Sequence, residues 1–94
     1  MQKYYIDFTE VKKYRQFYDA LIKGLDFPEW CGNNTDAIWD LITEGMGGPS
    51  IVYIKGIEKL PTDLKEEWDS VLRIFNDAVE WYAKFDEELK IIFN

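Results

Sequence analysis

Asp36, Asp40 and Glu44 recur at four-residue intervals, so on a helix their carboxylates stand one above the next along a single face. Carboxylates so spaced suit three kinds of chemistry: holding a divalent cation, dividing acid and base roles in a hydrolysis, or meeting a cationic surface on another molecule. The first two need more than spacing. A convex helix face has no cleft to exclude water. The chain has no histidine and a single cysteine, Cys31, so a Ser-His-Asp or Cys-His arrangement is impossible and no set of four zinc ligands suggests itself. Gly45, Gly47 and Gly48 precede Pro49 and an apolar run, where a phosphate-binding loop would need a helix N-terminus to follow. No catalysis, cofactor or metal is expected. The enzymatic alternative is a carboxylate-based metal hydrolase on Asp36, Asp40 and Glu44, which metal-dependent turnover would have to support.

The third use, a cationic partner, fits the electrostatics. Eighteen acidic residues against eleven basic ones give a formal net charge of −7, and no basic residue occurs between Lys23 and Lys55. Such a surface opposes approach to nucleic acid and anionic membrane and favours a basic protein. Asp36 belongs to the first turn of its helix, where the helix dipole welcomes it. Asp40 lies between two like charges, each neighbour pair costing roughly 0.2–0.5 kcal/mol. Glu44 stands at the negative end of the dipole, where stability alone would favour Lys. Acids kept where local physics disfavours them point to a partner that offsets the cost. On the helical wheel Ile38, Leu41 and Ile42 define the buried side, while Trp39 falls toward Asp36, Asp40 and Thr43. With Trp30 just before the preceding turn, the acidic patch is framed by aromatics, the composition of a binding hot spot.

The elements that hold this patch follow from apolar periodicity. Tyr4 to Phe8 reads as a strand, aromatic and β-branched. Tyr14, Phe17, Tyr18, Leu21, Ile22 and Leu25 form a helical stripe that ends near Gly24 and Pro28. Gly32-Asn33-Asn34 is a turn, and Asn34 or its neighbour caps a short second helix through Ile42, stopped by the glycines and Pro49. Ile51-Val52-Tyr53-Ile54 is a near-continuous apolar run, as in a central strand covered on both faces. From Leu64 to Tyr82 a long stripe predicts the longest helix, and Leu89 to Phe93 a third strand. Strands alternating with helices favour right-handed crossovers. The expected fold is therefore α/β, a three-stranded parallel sheet flanked by three to four helices. Residues 1–94 are enough for one domain and too few for two cores. Neither a leader nor an apolar run of about 20 residues stands out, and the lone cysteine offers no internal disulfide, so a cytoplasmic location is expected.

The segment from Pro28 to Asp40, PEWCGNNTDAIWD, resembles the signature of the barstar family, P-E-aromatic-x-G-x-N-x-D-A-aliphatic-W-D. The likeness continues from the first strand through Ser70-Val71-Leu72-Arg73-Ile74-Phe75. It implies a barstar-like fold and a stoichiometric inhibitor that enters the active-site groove of a secreted, basic, barnase-like ribonuclease, one to one. By this resemblance Asp40 occupies the site of an RNA phosphate and Asp36 pairs with a second basic group. Trp30 and Trp39 pack around them, and Asn34 and Thr43 make polar contacts; Glu44 joins the binding row through its charge and helical spacing alone. Asp77 stands on the long helix where the family uses Glu. Departures lie at the rim. Trp30 and Cys31 replace two Tyr, Thr35 replaces an apolar residue, and Gly45-Met46 stands where the best-known member has a Trp contact. Cys31 is then a contact or a filler, and the alternative client is another toxin-type nuclease or other basic protein, for which the chain would serve as immunity protein. Extra residues around Ala83 to Glu88 are expected to lengthen a connection away from the patch.

Overall fold

The computed structural model describes residues 2–46 and 48–93. Strand β1 spans Gln2–Asp7 and leads into helix α1, Tyr14–Gly24. Gln16 starts that helix from within, its side-chain oxygen accepting from the backbone N–H groups of Lys12 and Lys13 at 2.8 and 3.1 Å. Helix α2, Thr35–Leu41, continues into a π-helical turn, Ile42–Met46. Strand β2 is Ser50–Lys55. Two short 3₁₀ turns, Ile57–Lys59 and Thr62–Leu64, then lead to helix α3, Lys65–Ala83. Strand β3, Leu89–Phe93, follows. The α/β architecture expected from the sequence is the one found.

The strands lie in the order β1-β2-β3, all parallel, with Gln2 opposite Ser50 and Ser50 opposite Leu89. In a sheet wound in sequence order, right-handed crossovers bring every connection to the same face. That face carries Ile6, Val52, Ile54 and Leu89, all buried, and the helices lie over it. The alternate residues Lys3, Tyr5, Ile51, Tyr53, Lys90 and Ile92 share the other face by register. There Tyr5 stacks on Tyr53 with ring centroids 5.1 Å apart, yet remains 64% exposed. This corrects the reading of β2 as covered on both sides: Ile51 and Tyr53 are only half-buried. Cross-strand neighbours shield them in place of a second helical layer.

The core is aromatic where the helices meet the sheet. Phe8 stacks on Phe17 at 5.0 Å and meets Trp68 edge-on at 5.7 Å. Tyr18, fully buried, donates its hydroxyl proton to the Glu67 carboxylate, tying α1 to the first part of α3. Burial and this carboxylate both hold the Tyr18 phenol far above its ordinary pKa.

Gly24 serves more than helix termination, the role its position suggests in sequence. A Cβ there would lie 2.6 Å from the backbone oxygen of Tyr5 and 2.7 Å from Ile6 Cγ1, so the glycine lets α1 cross β1 at close range. The reversal itself falls to Asp26, in the left-handed region with φ 59°, while the Phe27 N–H donates to the Ile22 carbonyl at 2.9 Å. Alanine is the better helix former by about 1 kcal/mol. Gly24→Ala is nevertheless expected to lower stability, by ~1–3 kcal/mol, because backbone would have to move to admit the methyl group. Urea denaturation of the two proteins checks the sign.

Candidate functional site

The acidic helix is short, and three attachments hold it. At its start the Asn34 side chain accepts from the Ala37 N–H at 2.8 Å, closing the cap. Just before it, the Tyr14 hydroxyl donates to the Asn33 carbonyl at 3.1 Å, pinning the loop to α1. Beneath it, Ile38 and Ile42 are wholly buried. Seven residues are too few for a helix to stand alone, so these contacts make the site. Leu41 and Gly45 share a shallow groove with Leu25, Phe27 and Pro28, which turns that flank toward the end of α1. The opposite flank, with Trp39 and Thr43, faces α3, on which α2 packs.

Beyond Leu41 the winding changes. The Thr43 hydroxyl donates to the backbone oxygens of Trp39 at 2.9 Å and Asp40 at 3.3 Å. The buried Tyr82 hydroxyl of α3 donates to the Ile42 carbonyl, supplying a partner at the point where the ladder shifts to wider spacing. A π turn advances by a smaller angle per residue than an α turn. Under regular α winding Glu44 would drift toward the Leu41 flank and Met46 toward the α3 flank. With the wider turn Glu44 comes back beneath Asp40, exposed, and Met46 rotates into the core, 9% exposed.

Most of the residues singled out in the sequence are exposed, on α2, on the loop before it and on α3. Asp36, Asp40 and Glu44 are all exposed along the helix, and Asp77 is exposed on the neighbouring α3. Asn34 is exposed at the cap; Thr35, Trp39 and Thr43 are half-buried beside it. Trp30 is 80% exposed on the preceding loop. Among the described residues the side-chain ion pairs are Lys55–Asp7 at 3.6 Å and Lys90–Glu88 at 3.7 Å. The four site carboxylates have no such internal counter-charge. Nor do three or more His, Cys, Asp or Glu among the described residues come close enough to hold a metal ion, since each carboxylate occupies its own helical turn.

Cys31 is the exception. Of the two roles open to it, contact or filler, the structure gives the second: it is 6% exposed, with its thiol donating to the Gly32 carbonyl at 3.6 Å. Burial pushes the thiol pKa up, which lowers the thiolate fraction at neutral pH. Ellman's reagent is therefore expected to label the native protein at least tenfold more slowly than the urea-unfolded chain. Equal rates would show that the loop opens freely.

Comparison with known proteins decides the family. The family model described as "Barstar (barnase inhibitor)" matches residues 1–94. The chain belongs to the barstar family. A member-like relative from Bacillus subtilis (strain 168), named "Putative ribonuclease inhibitor YrdF", is 34% identical over 92 residues, covering 98% of both chains. In this barstar-family chain the end of α3 and the connection after it are anchored at two points. The Tyr82–Ile42 bond brings the end of α3 against the π turn, and Glu87 lies against Gly48, where a Cβ would be 2.9 Å from its Oε2. At the same end Trp81, half-buried against the core, packs on Phe85 with ring centroids 4.9 Å apart. Among the described residues, no helix is long and apolar enough to cross a membrane.

Proposed function

We propose that this barstar-family chain is a stoichiometric inhibitor of a secreted, basic, barnase-type ribonuclease, held in the cytoplasm as a one-to-one complex. The observation that carries the reading is the row Asp36, Asp40 and Glu44, exposed on a helix fixed at its cap and base and unpaired with any lysine or arginine among the described residues. A groove that holds RNA phosphates with Arg and Lys accepts such a row through charge-assisted hydrogen bonds. Asp40, at the middle of the row, stands in for a phosphate; Asp36 takes a second cation, and Asp77 reaches the rim from α3. Trp30 and Trp39 enclose the charged contacts and exclude water. The rigid cap matters because side chains already in place lose less entropy on binding. The net charge of −7 steers encounter with a cationic partner, an effect that salt screens over about 8–10 Å. The chain does no chemistry on RNA in this reading; it denies access.

A different toxin-type nuclease remains the second reading, and specific features favour it. Cys31 is buried and offers no hydroxyl, and exposed Gly45 offers no side chain at the end of the acidic row.

The test is titration of the purified protein into a barnase assay at low and moderate salt. Loss of activity at a one-to-one ratio, with association slowed by salt, is the expected result. Absence of inhibition at both salts would overturn barnase as the type of client and leave the second reading.

A further inference from the structure

The two outer edges of the sheet differ. Along β1 the N–H groups of Gln2 and Phe8 donate inward, to the carbonyls of Pro49 and Lys55, so the alternate residues Lys3, Tyr5 and Asp7 turn their backbone groups outward. Gly24 sits close over the outward Tyr5 oxygen, and the end of α1 thereby closes that edge to another strand. Along β3 the Ser50 N–H donates to the Glu88 carbonyl at 2.9 Å. By the same alternation Lys90 and Ile92 bond toward β2, while Leu89, Ile91 and Phe93 turn their N–H and C=O groups outward. None of the described residues bonds to these outward groups. Natural edge strands are guarded by proline, a bulge or free charge. β3 is Leu-Lys-Ile-Ile-Phe, in unbroken register with β2, and its lysine is paired with Glu88 at 3.7 Å. Two of its apolar side chains face water, Ile92 36% and Phe93 52% exposed.

We propose that β3 is the contact of a homodimer, pairing antiparallel with β3 of a second copy so that two three-stranded sheets join into one. The strand is complementary to itself in one register. Centred on Ile91, that register sets Leu89 opposite the partner's Phe93, and every outward N–H and C=O finds a partner. Lys90 then stands opposite the partner's Ile92 on the open face of the sheet, its alkyl stem covering the exposed isoleucine. Slipped two residues one way, Lys90 would face the partner's Lys90, like charges directly opposed. Slipped the other way, Leu89 would be left without a partner. Two five-residue strands cover less than the roughly 1,200 Å² of a standard stable interface, so the dimer is weak, with a dissociation constant on the order of 100 µM. Each copy carries a net charge of −7. Salt, which slows encounter with a basic nuclease, therefore strengthens this contact by screening the repulsion between copies. The contact uses none of the residues of the acidic row.

Sedimentation velocity of the purified protein, from about 20 µM to about 1 mM at low and moderate salt, tests the dimer. The mean mass of the parent is expected to rise with concentration toward that of two chains, and more steeply at moderate salt. Ile92→Lys alters an exposed side chain and sets lysine against the partner's Lys90, so it should weaken dimerisation at least tenfold without lowering the melting temperature of the monomer. Adding Lys90→Glu to Ile92→Lys makes the opposed charges opposite in sign and should restore the parent's dimerisation to within about threefold, a recovery that a different interface would not give. A parent that stays monomeric throughout overturns the proposal. So does a dimer that Ile92→Lys leaves intact, which would lie on another surface, or one that salt dissolves, which would join acidic and basic patches.

Discussion

Replacing Asp40 by alanine is expected to weaken the complex with barnase roughly a thousandfold or more, about 4 kcal/mol, while leaving the melting temperature of the free protein unchanged. The size is that of centrally placed charged hot spots in general, this inhibitor family supplying a well-known instance. The separation of the two effects comes from the structure. Asp40 is exposed, caps nothing and pairs with no cation among the described residues. Its removal relieves repulsion from Asp36 and Glu44 by a few tenths of a kcal/mol. In the complex its carboxylate would be desolvated against Arg and Lys, and truncation leaves those cations buried without a partner. Calorimetric titration gives the first quantity and thermal unfolding the second. Unaltered binding, or a large fall in stability, would remove Asp40 from the role of phosphate mimic.

Ile38→Ala should do the reverse. Ile38 is completely buried under the acidic helix, and cutting it to alanine is expected to cost ~2–5 kcal/mol of stability, lowering Tm by about 10 °C or more for a domain of this size. While the protein stays folded, the carboxylates keep their cap and their neighbour Ile42, so affinity measured well below the melting temperature should change by less than about tenfold. Urea denaturation and low-temperature binding together test this. A variant that is stable but no longer binds would mean that the helix loses its orientation before the fold is lost.

Periodicity made most of the architecture legible. The stripes at Tyr14 to Leu25 and Leu64 to Tyr82 became α1 and α3, and Asn34 caps α2 as its residue type suggested. Local spacing did not determine which faces of the sheet are covered. Ile51 to Ile54 reads as a fully enclosed strand, yet only topology determines that all helices cross on one side. The acidic row was visible because charge repeats at helical spacing, and Trp39 because it breaks the apolar pattern. Cys31 was ambiguous, since a small weakly polar side chain fits core or surface alike. The π turn was invisible, because its cause is distant: the Tyr82 hydroxyl reaches Ile42 from forty residues away.

The π turn also bears on how such a surface can diversify. A wide turn accommodates one more residue than an α turn over nearly the same stretch of chain. Loss of one residue from Ile42–Met46 can therefore be taken up as a change of winding, with β2 still entering the sheet at Ser50. Glu44 would swing away from Asp40, while Asp36 and Asp40, upstream of the turn, would stay where they are. Chain length in this one segment is thus a means of re-aiming the end of the charged row, by which an inhibitor lineage can follow a changing target without rebuilding its core.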